Sequence, residues 1–381
     1  MDFSFTQEQE ELRAHARDLL VATCPPDYIE RCDREGQPPR EAYDAVARQG
    51  WLGLIVPEEY GGAGGSAIDV AILLEEAGRQ YEELAMWMFR TMTYGGYAVA
   101  THGTEEQKQR FLPKVAKGDL SVCFGLTEPD SGSDAAALTT KATATNDGHY
   151  AIDGQKVFTS GMDVSDYCLL VTRTARKERK QDGITVFMVD TKTPGIEVRK
   201  IETLGHHAIG TTQVFYNNVK VPETDMLGER DKGWSVADAC LWYERLCLSA
   251  ARTGAASAVF ELALDYAKTR KQFGQAIGKF QAISHKLADM KVMLDVSRML
   301  VYRFAWQMAE GKATRHDASV LKLYTSEAYK SVADMALQIH GGYGYCMEYP
   351  IQRFFRDSRL ATIGAGSSEI QRNIIARSLG L

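Results

Sequence analysis

The sequence has no CxxC pair, and its eight histidines show no HExxH or comparable spacing. The seven cysteines, Cys24, Cys32, Cys123, Cys168, Cys240, Cys247 and Cys346, are an odd number. They read as reduced thiols of a cytosolic protein, with neither a disulfide framework nor a metal site expected. Only Arg176 to Lys180, RKERK, forms a basic run, and it sits between two strand-like segments, as a solvated hairpin tip would. With a net charge of −6, nothing points to nucleic acid as a partner. No apolar run approaches a membrane span. The N-terminal MDFSFTQEQEELRAHARDLL carries acids where a secretory or transit peptide would carry bases. There is no internal repeat and no low-complexity segment. Strands and helices do not alternate, which argues against a Rossmann unit.

What is present is an ordinary globular composition, 45% hydrophobic and 25% charged over 381 residues, enough for two or three packed units. Helical patterns cover 6–21 (with Thr6 and Gln9 as a capping box), 40–49, 66–80, 85–102 and 104–116, where Thr104 and Gln107 form a second box. From about 119 to 220 the period changes. Short segments at 120–125, 137–145, 149–158, 167–174, 184–190, 196–201 and 213–221 are rich in Val, Thr, Tyr and Phe. Asp147-Gly148 and Asp153-Gly154 are hairpin or bulge signals. Helices resume at 234–270, 283–310, 313–339 and 368–379. The expected fold class is mainly α with a central antiparallel β domain: an N-terminal α domain over 1–118, a β domain over 119–229 and a C-terminal helical bundle over 230–381.

The helix from Trp234 to Arg270 lacks proline, and Ala237, Leu241, Leu248, Ala251 and Ala255 recur at three- and four-residue spacing as one buried stripe. Glu244 falls on it. A carboxylate on an apolar face has its pKa raised toward the range of a useful base. The competing reading is an ion pair at the surface, with Arg245 or a distant arginine. In the β domain, Phe124 to Asp134, FGLTEPDSGSD, offers the hydroxyls of Thr127, Ser131 and Ser133 with glycine amides free to approach an anion or a heterocycle. A plain Asx or Ser turn explains the same residues. Phe158-Thr159-Ser160-Gly161 closes the following strand in the same style. Later come Arg270-Lys271-Gln272-Phe273-Gly274, Gln338-Ile339-His340-Gly341-Gly342, and Thr362 to Glu369. An arginine beside glycines suits a pyrophosphate.

In this order and spacing, LTEPDSGSD, FTSG, RKQFGQAIGKFQ, QIHGGYGY and IGAGSSEIQR make the chain resemble the acyl-CoA dehydrogenase family over its whole length. The resemblance implies an α, β-barrel-like, α architecture, a homotetramer built on the C-terminal helices, and one FAD per subunit. Carried over residue by residue, Leu126 and Thr127 line the flavin pyrimidine side, Ser133 sits near the pyrophosphate and the thioester, and Phe158 and Thr159 cover the ring. Arg270, Phe273, Gln281, Gln338 and Gly342 reach the FAD of a neighbouring subunit, and Ser367 and Glu369 meet the adenosine half. Arg245, Ala365 and Gly366 join Ser133 on the substrate side. Most members place a catalytic glutamate at the position of Ala365, and alanine cannot abstract a proton. The isovaleryl and long-chain branches carry the base in a Glu-Arg-Leu segment on the long helix, which matches Glu244-Arg245-Leu246.

The implied reaction is α,β-dehydrogenation of an acyl-CoA, with the α-proton taken by Glu244, the β-hydride passed to flavin N5, and an electron-transfer flavoprotein as acceptor. Two rivals accompany it: an enoyl-CoA reductase of the crotonobetainyl-CoA type using the same site, and a catalytically silent flavin-fold partner. The small residues Gly364, Ala365 and Gly366, with Met86, Met88, Phe89, Met92 and Tyr94 as an adaptable wall, suggest branched, cyclic or unusual acyl groups. Glu128 is expected to hold its loop, Cys240 and Cys247 to pack, and His206-His207 to face solvent or the nucleotide.

Overall fold

The computed structural model describes residues 4–381. Its first layer is helical: α1 (Gln7–Thr23), α2 (Pro26–Glu35), α3 (Arg40–Arg48), α4 (Ala67–Gln80), α5 (Glu82–Arg90), α6 (Ala98–His102) and α7 (Glu105–Lys117). Both anticipated capping boxes form, with Thr6 and Thr104 accepting from the amides of Gln9 and Gln107. Helix α2 was not anticipated. It starts with Pro26 in its first turn and stops at Gly36, which takes a left-handed φ of 61°. The helix expected over 85–102 begins earlier, at Glu82, and between α5 and α6 it widens into a π-helical segment, Thr91–Tyr97. Such widened turns are rare and frequently mark functional sites.

The β layer comprises β1 (Val122–Gly125), β2 (Lys141–Ala144), β3 (His149–Ser160), β4 (Tyr167–Arg173), β5 (Ile184–Asp190), β6 (Ile196–Ile201), β7 (Thr211–Pro222) and β8 (Met226–Leu227). The sheet runs β6-β7-β3-β2-β4-β5-β8, with β1 added against β4. One expectation, a wholly antiparallel sheet, needs correction. The sheet is mixed, because β1 runs parallel to β4 from Val122↔Tyr167 to Gly125↔Leu170, and β2 meets β4 in parallel at Lys141↔Arg173. A long crossover separates β1 from β4, and only a crossover permits parallel pairing. Nor is the sheet a closed barrel, since its end strands β6 and β8 do not pair. Gly148 (φ 75°) turns the β2–β3 hairpin, and the β3–β7 register shifts between Ile152 and Gly154, at the expected Asp153-Gly154 bulge. The RKERK run is an exposed tip between β4 and β5.

The C-terminal layer holds α8 (Trp234–Thr269), the short β9 (Lys271–Gln272) and β10 (Gln275–Ala276), α9 (Gln281–Ala309), α10 (Arg315–His340), α11 (Ile351–Ala361) and α12 (Ser368–Ser378). Helix α11 was also unanticipated. No helix among the described residues is long and apolar enough to cross a membrane. Helix α8 is the hub, packed mainly against α4 and α10 and also touching α5, α9 and α11. It has more than the single buried stripe expected, for every residue from Tyr243 to Ala256 is buried. Where it crosses α4 the backbones nearly touch. A Cβ on Gly254 would lie 1.9 Å from the Glu75 carbonyl oxygen, and one on Gly78 would lie 2.0 Å from that of Ala251. Gly254→Ala should gain about 1 kcal/mol of helix propensity. Overpacking costs about 1–3 kcal/mol, and a fixed backbone oxygen cannot swing aside, so the variant should unfold at lower urea concentration than the parent. An unchanged urea midpoint would contradict that packing.

The loop between β6 and β7 ties the sheet to both helical layers. The amides of Ala208 and Ile209 donate to the Glu83 carboxylate (2.9 and 2.8 Å), and that of His206 donates to Asp357 (2.8 Å). His206 is therefore buried, which corrects the expectation that it faces solvent. Burial alone would lower its pKa, but Asp357, Glu82 and Glu83 outweigh burial and leave it raised. His207 stays partly exposed beside Asp33 and Arg356.

Candidate active site

The loop after β1 is fixed by a fully buried lysine. Lys156 on β3 donates to the Leu126 carbonyl and to the Glu128 carboxylate, both at 2.9 Å. Glu128 also accepts from the amides of Thr139 (2.6 Å) and Thr140 (2.8 Å). Although burial opposes it, Lys156 followed by Thr140 holds the Glu128 pKa down at about 2. Glu128 thus holds the loop and is no acid catalyst. It also explains why strand β2 starts only at Lys141, since the preceding residues are occupied with a 3-10 turn and this carboxylate. Thr127 is stitched to β3 by the Val157 amide (2.9 Å), while Gly132 and Ser133 form the exposed tip.

On β3 the register shifts between Lys156 and Thr159, and Phe158 takes a positive φ of 55° that turns its ring outward, 64% exposed. Next to it the Thr159 hydroxyl is buried without a hydrogen-bond partner. A non-glycine residue in the left-handed region and a stranded hydroxyl both incur a cost in isolation. A flat heterocycle with a polar edge would satisfy the hydroxyl and offset the backbone cost by stacking on the exposed ring. The residues present therefore fit the flavin that the resemblance implies.

The acid that the sequence singles out is Glu244. It is buried on α8, and burial raises its pKa, against the opposing influence of the nearby Tyr94 hydroxyl and the cations Arg245, Arg252 and Lys322. Tyr94, in the π-helical segment, stacks on Phe124 at the head of the flavin loop, with ring centroids 4.6 Å apart. Glu244 and the loop are thus linked through one aromatic residue.

The last loop lies near Glu244 through their shared neighbour Lys322. Ala365 (φ 55°) and Gly366 (φ 81°) are both left-handed, and a Cβ on Gly366 would lie 2.7 Å from Gln371 Nε2. The Gly366 carbonyl accepts from Lys322 Nζ (2.7 Å) and Gln371 Nε2 (2.9 Å), and the Ala365 carbonyl accepts from Gln371 (3.2 Å). With both carbonyls turned to α10 and α12, the Ala365 amide makes no hydrogen bond among the described residues and is free for a ligand oxygen. Ser367 caps α12 by accepting from the Ile370 amide (3.4 Å), and Glu369 is exposed on the first turn. Lys322 is buried, and burial, with Arg252 and Arg245 adding repulsion, lowers its pKa to about 7.

The remaining assigned residues lie elsewhere. Arg270, Phe273 and Gly342 line a cleft of about 670 Å³ with Tyr266, His340 and Tyr343, and Gln281 and Gln338 sit exposed at the ends of α9 and α10. Glu244 and Arg270 are 26 positions apart on α8 and just past it, about 39 Å at 1.5 Å per residue. The two groups do not meet within one chain. Sequence reading missed Arg90, Arg252 and Lys322. The signal for Lys322 was the one that exposed Glu244, a charge on the buried face of a helix. The signal for Arg90 was its isolation in an otherwise uncharged helical run. Of the proposed adaptable wall, Met88 and Met92 are wholly enclosed in the core, while Met86, Phe89 and Tyr94 keep slivers of accessible surface.

Comparison with known proteins gives the family. Models of the acyl-CoA dehydrogenase N-terminal, middle and C-terminal domains match residues 6–119, 123–219 and 231–380. The chain is 36% identical to a 3-(aryl)acrylate reductase of Clostridium sporogenes, covering 98% of this chain and 99% of that one. It is 34% identical to the caffeyl-CoA reductase-Etf complex subunit CarC of Acetobacterium woodii, again over 98% and 99%. The solved structure of butyryl-CoA dehydrogenase from Megasphaera elsdenii superposes with a TM-score of 0.95 at 34% identity, each chain covered in full. With all three domain models matched in order and such relatives aligned end to end, the chain belongs to the acyl-CoA dehydrogenase family.

Proposed function

We propose that the protein is an FAD-dependent acyl-CoA dehydrogenase in which Glu244 removes the α-proton of the bound thioester, forming the trans-2-enoyl-CoA. The observation that carries this reading is a buried carboxylate with a raised pKa, tied through Tyr94 to the loop that fits a flavin. Bound FAD supplies the acceptor for the β-hydrogen, which leaves as hydride. The α-proton of a thioester is far too weakly acidic for a carboxylate in water, so negative charge building on the thioester oxygen has to be stabilised as it forms. The free Ala365 amide is placed to donate to that oxygen. Lys322 and Gln371 keep the amide turned inward by holding the adjacent carbonyls. Arg245 and Arg252, both buried on α8, bias the chamber toward negative charge. Ser133, at the exposed loop tip, meets the phosphate side of the ligands.

Leu126, Thr127, Phe158 and Thr159 hold the flavin ring. Arg270, Phe273, Gln281, Gln338 and Gly342 complete the FAD site of a neighbouring copy in a homotetramer, with Ser367 and Glu369 at the adenosine half. An electron-transfer flavoprotein takes the electrons, consistent with the Etf complex named for the Acetobacterium relative. The test is anaerobic mixing of the yellow holoprotein with butyryl-CoA and other acyl-CoAs. Bleaching of the flavin band is expected, and a protein that binds no flavin would remove the proposal. The same site run backwards reduces an enoyl-CoA, a reading favoured by the two relatives named as reductases. Comparing turnover with a dye acceptor against turnover with a reduced donor separates the directions.

The raised pKa sets the pH dependence. Glu244 accepts a proton only when ionised, so kcat/KM for dehydrogenation should rise with pH through an acid limb above the ordinary carboxylate range. A flat profile from pH 4 upward would show that another group takes the proton.

A further inference from the structure

Arg90 is the only Asp, Glu, Lys or Arg between Leu84 and Gly103. It ends α5, is 6% exposed, and its side chain makes no hydrogen bond or ion pair among the described residues, with Nη2 wholly enclosed. Its neighbours are already committed. The Glu83 carboxylate holds the amides of Ala208 and Ile209, and the Tyr43 hydroxyl is bonded to Thr91 at 2.8 Å. An arginine stays charged under essentially all conditions, and a buried charge without a counter-ion is among the most costly arrangements in a protein.

Two observations set this guanidinium near the proposed flavin surface and the base. A Cβ built on Gly161, the last residue of the FTSG segment, would lie 3.5 Å from Arg90 Nη2. Tyr94, one turn further along the same rod, lies close to Glu244 and stacks on Phe124. The accessible surface of the rod shows the same facing. Met86, Phe89, Arg90 and Tyr94, at helical spacing, retain small accessible areas, whereas Met88, Thr91, Met92 and Thr93 have none. The face bearing Arg90 is thus the one that bears Tyr94.

We infer that Arg90 receives a carboxylate at the distal end of the acyl group, so that the preferred substrates are thioesters of dicarboxylic acids. The inference rests on the proposed placement of the thioester beside Glu244. A guanidinium meets a carboxylate with two parallel N–H···O bonds. An alkyl terminus in the same place would leave the charge unpaired, so the site both attracts the anion and rejects its apolar counterpart.

The test is equilibrium binding to the FAD-loaded protein carrying Glu244→Gln, followed by the change in flavin absorption. Succinyl-, glutaryl- and adipyl-CoA are compared with butyryl-, valeryl- and hexanoyl-CoA. At the length that spans the chamber, the dicarboxylic ligand should bind about 10- to 100-fold more tightly than its straight-chain partner. Arg90→Met should abolish or reverse that ratio, and Arg90→Lys should keep part of it. No preference at any length overturns the inference, as does a preference that survives Arg90→Met. Should Arg90→Met lose its flavin, the ligand series on the Arg90-bearing protein still decides. Failure of the base assignment shows separately, as turnover by the Glu244→Gln protein.

Discussion

Glu244→Gln is expected to keep its fold and its yellow colour while flavin reduction by acyl-CoA slows by about 10²- to 10⁴-fold, the usual contribution of a positioned general base. The amide is nearly isosteric, so packing on α8 is retained, but it offers no site for the proton. Little else nearby can substitute. Tyr94 has its pKa driven well above the ordinary tyrosine value by burial and by Glu244 itself. Arg245 and Arg252 carry no base, and Lys322 is held by the Gly366 carbonyl (2.7 Å). Stopped-flow absorbance under anaerobic conditions measures the effect directly. A rate within tenfold of the parent would remove Glu244 from the chemistry and shift attention to Lys322, the one neighbouring group with a pKa near neutrality.

Lys156→Met should be the most damaging single change to stability, at about 3–5 kcal/mol, because it strands a buried carboxylate whose partner is gone. Lys156 is fully enclosed and Glu128 is nearly so. The loss should show both as a lower urea midpoint and as easier release of flavin, since the same lysine anchors the Leu126 carbonyl. The double variant Lys156→Met/Glu128→Gln should recover part of the loss, because the charge and its counter-charge leave together. Equal damage in single and double variants would mean that the methylene packing of Lys156, rather than the ion pair, matters. The pair also sets an acid limit. The folded-state pKa of Glu128, about 2, lies below its unfolded value. Its contribution is therefore complete above the unfolded carboxylate range and is lost as pH falls from there toward about 2.

The order of layers was readable because each has its own period. Capping boxes fixed the starts of α1 and α7, and short segments rich in Val, Thr, Tyr and Phe between turn residues marked β3, β4 and β5. Helix α2 escaped because its apolar residues Tyr28, Ile29 and Cys32 are few among charges. Helix α11 escaped because its buried positions, Ile351, Phe354, Asp357, Ser358 and Ala361, mix polar with apolar. The parallel pairing of β1 with β4 escaped because strand register is a property of two distant segments, which no local pattern carries. At the site, Glu244 was legible as a charge on an apolar stripe, and Phe158-Thr159 as part of a motif. That Phe158 is left-handed and that the Thr159 hydroxyl has no partner are facts of tertiary packing. Arg90 was visible as a letter, but only the surrounding commitments of Glu83 and Tyr43 show that its guanidinium makes no hydrogen bond or ion pair among the described residues.

The all-round enclosure of α8 between Tyr243 and Ala256 has a consequence for how the molecule comes apart. A rod without a wet side cannot be excised: a fragment starting near residue 230 would present to water the surfaces that α4 and α5 normally cover, and should aggregate. Heating the intact chain should accordingly give one calorimetric endotherm spanning all three layers, instead of a staircase of separate melting events.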